Sequence, residues 1–308
     1  MTETLLTLFT APKPFKDSHI ITIQRNAYNS WKALGNEVEI LVFGEDEGIA
    51  ENSRELAIRH IPGVACNSRG TPLVSSMLAL TRENSSSPFL GIINSDILLF
   101  PDALKAIKAV TGRFKKFLLA GQRWDMEVPD RITGPDQFKE LQTKIFSEGV
   151  LHLPMGSDYF IFPRECYLEI PDFAIGRAGW DNWFIYKSRF EGWQVIDCTR
   201  EIKIVHQNHD YRHLPGGQPH YRLPETKENV ERGGGELTIF TLFDAQFNLV
   251  DGKIIRKPLS LKKILREIEI FPMSCLKSHT LGSLFYYAAH PKKAYAEIRR
   301  RIKKSGGL

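Results

Sequence analysis

The strongest constraint on the fold is an alternation of short apolar runs with amphipathic stretches over the first 120 residues. Pro72 and Pro101 stand near the starts of two of these stretches, where a missing amide proton costs a helix least. Such alternation predicts β-α-β units around a mainly parallel sheet, that is, an α/β layered core. The predicted strands are 4–9, 38–43, 89–93 and 117–120, and the predicted helices are 18–34, 49–57, 71–82 and 101–111.

The second part of the chain centres on a cluster of aromatic and acidic residues at 156–211. A polar, helix-permissive stretch at 129–154 separates this cluster from the first part. Strands at 158–162 and 194–197 and a helix over about 180–190 are predicted within it.

The remaining segments are a loop, a hairpin and a basic helix. Residues 213–235 are rich in Gly, Pro and His and form a predicted loop that is longer than typical connections. Residues 237–255 predict a hairpin that turns at Asp251 and Gly252. Residues 290–304 predict a short basic helix, which either lies on an anionic membrane surface or is a solvated terminal helix.

Charge is distributed unevenly along the chain. The net charge is +5, but residues 253–308 hold 14 Lys and Arg against three Glu, which leaves 27 basic and 33 acidic residues in the rest. The main body is therefore mildly acidic, and the basic character belongs to the last segment. This distribution gives no support to a nucleic-acid partner, and we expect none.

The cysteine pattern and the start of the chain indicate a cytoplasmic protein. The four cysteines are widely scattered, without a CxxC pair or a histidine at zinc spacing, and predict ordinary reduced thiols. The start lacks a secretory signal, and no apolar segment approaches the roughly 20 residues that span a bilayer. We therefore expect a cytoplasmic location, with peripheral contact at the inner membrane surface if the basic helix binds lipid.

The sharpest local signal is the sequence Asn94-Ser95-Asp96, directly after the apolar run 89–93 and before the apolar run 97–100. Open α/β sheets bind ligands outside the carboxyl ends of their strands, so Asp96 is expected at a crevice. A carboxylate there can bind Mg²⁺ or Mn²⁺, which accept hard oxygen ligands. The alternative is an Asp that caps the following helix.

This stretch resembles the acidic DxD motif of GT-A glycosyltransferases, and the chain is similar to members of the family 2 type. Asn94 replaces the first Asp of the motif by a neutral amide, while Asp96 matches the position that the family preserves most strictly. The resemblance covers about residues 4–211. It implies a Rossmann-like α/β/α sandwich with a mainly parallel sheet and a C-terminal appendage.

The resemblance also implies a nucleotide site. Thr10 and Pro12, in the turn after the first strand, would hold the base, and Arg25 would pair with a phosphate or stack on the base. Glu45 would accept hydrogen bonds from ribose or base, and Arg69 would add charge at a helix start that faces the diphosphate. From the residues alone, an exposed Arg25, a solvated acidic turn and an ordinary capped helix remain alternatives. The implied cofactor-binding residues are Thr10, Pro12, Arg25, Glu45, Arg69, Asn94, Ser95 and Asp96.

The sugar and acceptor site is expected in the second part of the chain. Asp181, before a predicted helix, resembles the carboxylate that takes the proton from the acceptor hydroxyl in inverting GT-A enzymes. Asp158 could hold sugar hydroxyls, and Trp124 could pack on the apolar side of a sugar ring. Helix capping by Asp181 and a core position for Trp124 remain alternatives. The implied substrate-binding residues are Trp124, Asp125, Gly156, Ser157, Asp158, Trp180 and Asn182.

The metal site is expected to combine Asp96 with a late histidine, as in several GT-A families. His206 has the better placement, directly at a strand end, and His209 follows three residues later. A zinc pair lacks a Cys or Glu at fitting spacing, and a structural histidine remains the alternative. The expected cofactor is Mn²⁺ or Mg²⁺.

The resemblance predicts a catalytic domain at 1–235, with a nucleotide-binding half at 1–128 and an acceptor half at 129–235. Residues 236–308 form the predicted appendage. The expected reaction moves a sugar from a nucleoside-diphosphate sugar, UDP-sugar favoured, to a hydroxyl of a glycan, glycolipid or small-molecule acceptor, with inversion. The alternatives are a sugar-phosphate nucleotidyltransferase, whose Gly-rich signature is absent at 10–16, and a non-catalytic carbohydrate-binding protein of the same fold.

Overall fold

The computed structural model describes residues 4–209 and 220–305. Its strands are β1 Leu6–Thr10, β2 Val38–Phe43, β3 Arg59–Ile61, β4 Phe89–Ile93, β5 Ile97–Leu99, β6 Phe117–Ala120, β7 Trp124–Met126, β8 Val150–Leu151, β9 Tyr159–Pro163, β10 Gln194–Asp197, β11 Ile204–Gln207, β12 Phe247–Val250 and β13 Lys253–Arg256. Its α-helices are α1 Ser18–Lys32, α2 Ile49–Glu55, α3 Val74–Asn84, α4 Asp102–Thr111, α5 Pro135–Glu148, α6 Trp180–Glu191, α7 Pro224–Gly233, α8 Leu261–Ser274, α9 His279–Ala289 and α10 Pro291–Ser305.

In the described part of the chain, nine strands form a central sheet in the order β13-β12-β10-β6-β9-β4-β1-β2-β3. Strand β9 runs antiparallel to β4 and β6, and β13 runs antiparallel to β12, while the other neighbours are parallel. The apolar runs that predicted the first strands are buried on both faces, as parallel sheets require.

Both faces of this sheet are covered by helices. Along β1, Leu8 packs into a core with Tyr28 and Trp31 of α1, whereas Phe9 packs into a second core with residues of α3, α6 and α8. Because successive strand residues point to opposite faces, one buried strand contributes to both cores. The predicted α/β/α sandwich with a mainly parallel central sheet is confirmed.

A smaller sheet in the order β5-β11-β7-β8 lies next to the central one. Only residues 94–96 separate β4 in the central sheet from β5 in the small sheet. Strand β11 lies between β5 and β7, and its register places His206 opposite Ile97 and Asp125. Leu98, Met126 and Val205 pack with residues of α5 in a third core beneath this sheet. The Asn94-Ser95-Asp96 segment is thus the junction of the two sheets.

The predicted loop at 213–235 is wrong in its second half. Residues 213–219 lie outside the described part, but a 3-10 turn spans His220–Arg222 and α7 spans Pro224–Gly233. Pro224 stands at the first helical turn, and Gly234 ends the helix with a φ of 109°. Proline and glycine therefore mark the two ends of a helix here rather than an irregular connection.

The chain after residue 235 continues the central sheet before it becomes helical. The predicted turn at Asp251 and Gly252 is confirmed, with φ of 49° and 70°. The predicted hairpin at 237–255 is wrong in its first part, where 3-10 turns span Glu236–Thr238 and Leu242–Asp244. Strand β12 pairs in parallel with β10. The predicted terminal helix corresponds to α10. No helix within residues 4–209 and 220–305 is both long and apolar enough to cross a membrane. The domain boundary at 235 and the membrane contact of α10 stay predictions.

Candidate functional site

Asp96 is held rigidly by backbone hydrogen bonds at the junction of the two sheets. Its carbonyl oxygen accepts from the backbone amide of Gln207 at 3.2 Å and from Nε2 of Gln207 at 3.1 Å. The preceding Ser95 donates its hydroxyl to Oε1 of Gln24 at 2.9 Å. The Gln207 side chain also binds Asn26 and the carbonyl of Ile23, both on α1. Two buried amides thus fix the Asp96 backbone against α1 and β11.

Asp96, His206 and His209 form a three-residue cluster. Each offers one potential ligand atom, and these atoms lie within 4.8 Å of one another. Antiparallel pairing of β11 with β5 brings His206 beside Ile97. Three residues later, His209 lies with its Nε2 3.1 Å from Oδ2 of Asp96. Asp96 and His206, which were predicted to act together, lie close to each other. His206 lies within β11 and not after its end. His209 is the additional member.

Lys13 occupies the space between two of these residues. Its Nζ lies 2.9 Å from Oδ2 of Asp96 and 2.8 Å from Nε2 of His209, and those two atoms are 3.1 Å apart. Nε2 of His209 can accept a hydrogen bond from Nζ or donate one to Oδ2 of Asp96, and the two roles belong to different tautomers. The Lys13 ammonium group therefore lies beside two of the three potential ligand atoms.

The electrostatics keep Asp96 ionised. Burial raises the pKa of Asp96, but Lys13, His209 and His206 outweigh burial and hold the pKa well below its usual range. The second oxygen, Oδ1, is buried and has no hydrogen-bond partner among the described residues. A buried carboxylate oxygen without a partner is unfavourable unless a cation or donor completes its surroundings. With two imidazoles nearby, the donor set fits a divalent metal ion.

A second layer of charges orients this cluster. Asp125 accepts hydrogen bonds from Nε of Arg123 at 2.8 Å and lies 2.9 Å from Nδ1 of His152 and 3.0 Å from Nδ1 of His206. Burial raises the pKa of Asp125, but His206, Arg123 and His152 together lower it below its usual range. A carboxylate beside the far nitrogen of a histidine is a common way to orient a metal-binding imidazole.

Asn94 and Arg123 converge on Asp158. Nη1 of Arg123 lies 3.0 Å from both oxygens of Asp158, and Nδ2 of Asn94 donates to Oδ1 at 2.8 Å. The backbone amide of Asn94 also donates to the carbonyl of Asp158. The amide of the variant motif thus joins β4 to the segment that enters β9, and the preceding Ser157 is buried.

Asp181 lies in the first turn of α6, after Gly179, whose φ is 105°. Its Oδ1 accepts from the backbone amide of Gly179 at 3.0 Å. The pKa of Asp181 is raised to about 6, because burial and the negative charge of Asp158 together outweigh backbone hydrogen bonds that lower it. Trp180 is buried against Phe160 and Phe184.

The other predicted substrate residues are tied to the protein itself. Nδ2 of Asn182 donates to the carbonyl of Phe240 at 2.8 Å and that of Met155, next to Gly156. Trp124 is half-buried and packs edge-on against Phe146, and its buried Nε1 has no hydrogen-bond partner in the described ranges. These contacts tie Trp124 and Asn182 to neighbouring residues of the protein and assign neither of them a ligand.

Of the predicted nucleotide-binding residues, two are buried at the end of β1 and three bind other groups of the protein. Thr10 and Pro12 are buried where β1 ends, next to Lys13. Glu45 accepts from the backbone amide of Gly63. Arg25 and Arg69 are both engaged in ion pairs, with Glu55 at 2.7 Å and Glu228 at 2.9 Å.

No family model matches the chain. No curated protein matches it.

Among solved structures, a mannosyltransferase from Pyrobaculum calidifontis in complex with GDP-Man and Mn²⁺ is 14% identical at a TM-score of 0.43, covering 67% of this chain and 57% of its own. Glucosyl-3-phosphoglycerate synthase from Mycobacterium tuberculosis in complex with UDP is 16% identical at a TM-score of 0.45, covering 84% and 89%. S. aureus TarS 1–349 in complex with UDP-GlcNAc is 15% identical at 0.42, covering 67% and 60%. Likeness at this level assigns no activity to this chain.

Replacing Asp181 by Asn should stabilise the fold at alkaline pH. With a folded pKa of about 6 and an unfolded value of about 3.9, the folded state binds more protons between these values, so stability falls as pH rises. We expect the variant to be about 1–3 kcal/mol more stable than the parent near pH 8, with the difference vanishing below about pH 4. Urea unfolding across this range measures it.

The exposed Asp136, in the first turn of α5, provides the matched control. Asp136→Asn should change the stability of the fold little near pH 8, because this side chain is 93% exposed. An Asp181→Asn variant with the same stability difference near pH 8 and near pH 4 would contradict the raised pKa.

Proposed function

We propose that this protein is a glycosyltransferase of the GT-A type that moves a sugar from a nucleoside-diphosphate sugar to an acceptor hydroxyl. One observation carries the proposal. Asp96, His206 and His209 converge at the carboxyl end of β4, beside the end of β1, and Oδ1 of Asp96 has no hydrogen-bond partner within residues 4–209 and 220–305. Parallel α/β sheets bind their ligands at this edge. Asp181 adds a carboxylate whose pKa of about 6 suits proton transfer.

The cation site would consist of Asp96, His206 and His209. We favour Mn²⁺ over Mg²⁺, because Mg²⁺ prefers oxygen ligands and two of the three groups are imidazoles. A bound divalent ion would supply charge neutralisation for the diphosphate leaving group. Lys13 lies close enough to the same carboxylate to add a second positive charge toward that group.

The base and ribose of the donor would lie along the ends of β1 and β2. Thr10 and Pro12 are buried where β1 ends, and Glu45 follows β2. We include Arg25, Arg69, Asn94 and Ser95 in the proposed nucleotide site, where each would act through a neighbour. Asn94 positions Asp158 and Ser95 fixes the turn at Asp96, while the two arginines lie in ion pairs that hold α2 and α7. We favour UDP as the nucleotide.

Asp181 would take the proton from the acceptor hydroxyl. At neutral pH a carboxyl group with a pKa of about 6 is largely ionised and is a stronger base than an exposed carboxylate. Attack on the anomeric carbon from this side gives inversion in a single displacement. The acceptor is a glycan, glycolipid or small molecule, and the proposed pocket residues are Trp124, Asp125, Gly156, Ser157, Asp158, Trp180 and Asn182.

The proposal is tested with transfer and hydrolysis assays across UDP-, GDP- and dTDP-sugars. Asp181→Asn should lower kcat about 10²–10⁴-fold with KM for the donor nearly unchanged, because loss of a general base affects the chemical step alone. Asp96→Asn should abolish metal-dependent nucleotide binding, measured by calorimetry with UDP. Asp136→Asn serves as the control in both assays and should behave like the parent, because its side chain is 93% exposed.

One outcome would reject the proposed role of Asp181, and two others would reject the proposed glycosyltransferase activity. Near-native turnover of Asp181→Asn would remove its role as the base. Pyrophosphate release from a nucleoside triphosphate and a sugar phosphate would identify a nucleotidyltransferase. Sugar binding without any metal-dependent nucleotide binding would identify a non-catalytic carbohydrate-binding protein.

Replacing Lys13 by Gln should strengthen Mn²⁺ binding in the absence of nucleotide. The ammonium group lies 2.9 Å and 2.8 Å from two of the proposed ligand atoms, so a metal ion must displace a like charge. We expect affinity to rise about tenfold or more, measured by the loss of the free Mn²⁺ signal in electron paramagnetic resonance titrations. Lys16→Gln is the matched control, because Lys16 lies three residues after Lys13 and its side chain is 63% exposed. Unchanged or weaker binding in Lys13→Gln would contradict this competition.

A further inference from the structure

Helix α8 presents an apolar stripe to solvent. Leu261, Ile264, Leu265, Ile268 and Phe271 are between 41% and 73% exposed. Their spacing of three and four residues places them on one side of the helix. The opposite side carries the buried residues of α8, which pack against the body of the protein. In an ordinary surface helix the apolar side faces the core, so a second apolar side that faces water requires a partner.

Helix α9 continues the exposed apolar surface. Leu281, Leu284 and Phe285 are 42%, 63% and 39% exposed, again at helical spacing. The two helices are in close contact, since a Cβ added at Gly282 would meet the Met273 side chain at 2.4 Å. We name the exposed apolar residues of α8 and α9 together the α8–α9 surface. Helix α10 adds Tyr295, Ile298 and Ile302, at 56% to 62% exposure.

Exposed lysine and arginine side chains lie on or next to these helices. Lys262 and Lys277 on or next to α8, and Lys292 and Arg299 on α10, are exposed. The three Glu residues of the segment are half-buried. Two of them, Glu267 and Glu269, form ion pairs with Arg189 and Arg266 at 2.7 Å. An apolar stripe flanked by exposed Lys and Arg is the pattern of helices that lie in the interface of an anionic bilayer.

We propose that the α8–α9 surface, with the basic helix α10, docks the protein on an anionic lipid bilayer. The apolar side chains would enter the boundary between headgroups and acyl chains, and the basic groups would contact lipid phosphates. A second copy of the chain fits this surface less well, because each copy carries 14 basic and three acidic residues between 253 and 308. Two such segments would repel each other, whereas an anionic membrane attracts them. The proposal goes beyond the proposed catalytic activity and does not depend on it.

The test is co-sedimentation of the full chain with vesicles of phosphatidylcholine, alone or with phosphatidylglycerol. We expect binding to the anionic vesicles and little to the neutral ones. The double variant Leu265→Ser/Ile268→Ser should weaken binding to anionic vesicles about tenfold or more. Lys262→Gln and Lys277→Gln should each weaken it up to about fivefold, with the effect lost at high salt.

Leu168→Ser is the matched control, because Leu168 is 69% exposed and lies outside α8–α10. It should bind vesicles like the parent. Circular dichroism of each variant verifies that the fold is retained, as expected for substitutions at exposed positions. Equal sedimentation of the parent and the double variant would overturn the proposal. A stable dimer that the double variant dissociates, without vesicle binding, would overturn it in favour of a second copy as the occupant.

Discussion

The buried charge of Asp96 is the interaction on which the rest of the site depends. A carboxylate at this depth is stable only when positive groups and hydrogen bonds offset the loss of water. The fold supplies them from three separate places: Lys13 after β1, His206 on β11 and His209 after it. The chain passes from β4 of the central sheet to β5 of the second sheet directly after Asp96. Fold and site are therefore fixed by the same short segment.

The polar network behind Asp96 explains why the geometry is precise. Gln24 binds both the backbone of Lys13 and the hydroxyl of Ser95, and Gln207 binds both Asn26 and the carbonyl of Asp96. Each buried amide connects segments that are far apart in sequence. Satisfied networks of this kind rigidify a core, whereas a half-satisfied one would destabilise it. Within the described part of the chain, Oδ1 of Asp96 is a buried carboxylate oxygen that this network leaves without a hydrogen bond.

The sequence predicted the central layers well because they depend on local periodicity. Long apolar runs such as 89–93 became buried strands, and helices such as α1 and α6 lie close to their predicted ranges. Strands β7 and β8 were not predicted, because three and two residues are too few to show a period. Helix α7 was not predicted, because it is polar and lies between Pro and Gly. Lys13 and Arg123 were missed because their partners lie 83 and 35 residues away. For the contact between Lys13 and Asp96, the local sequence offered only a lysine in the turn after β1.

The most direct measurement is pulsed electron paramagnetic resonance of Mn²⁺ bound with UDP to protein labelled with ¹⁵N-histidine. A cation site at Asp96, His206 and His209 predicts hyperfine coupling from two histidine nitrogens, reduced to one in His206→Ala and in His209→Ala. Because imidazole nitrogens coordinate the ion directly in such a site, the coupling does not depend on turnover. A Mn²⁺ signal without histidine coupling, or one unchanged in both variants, would contradict the assignment.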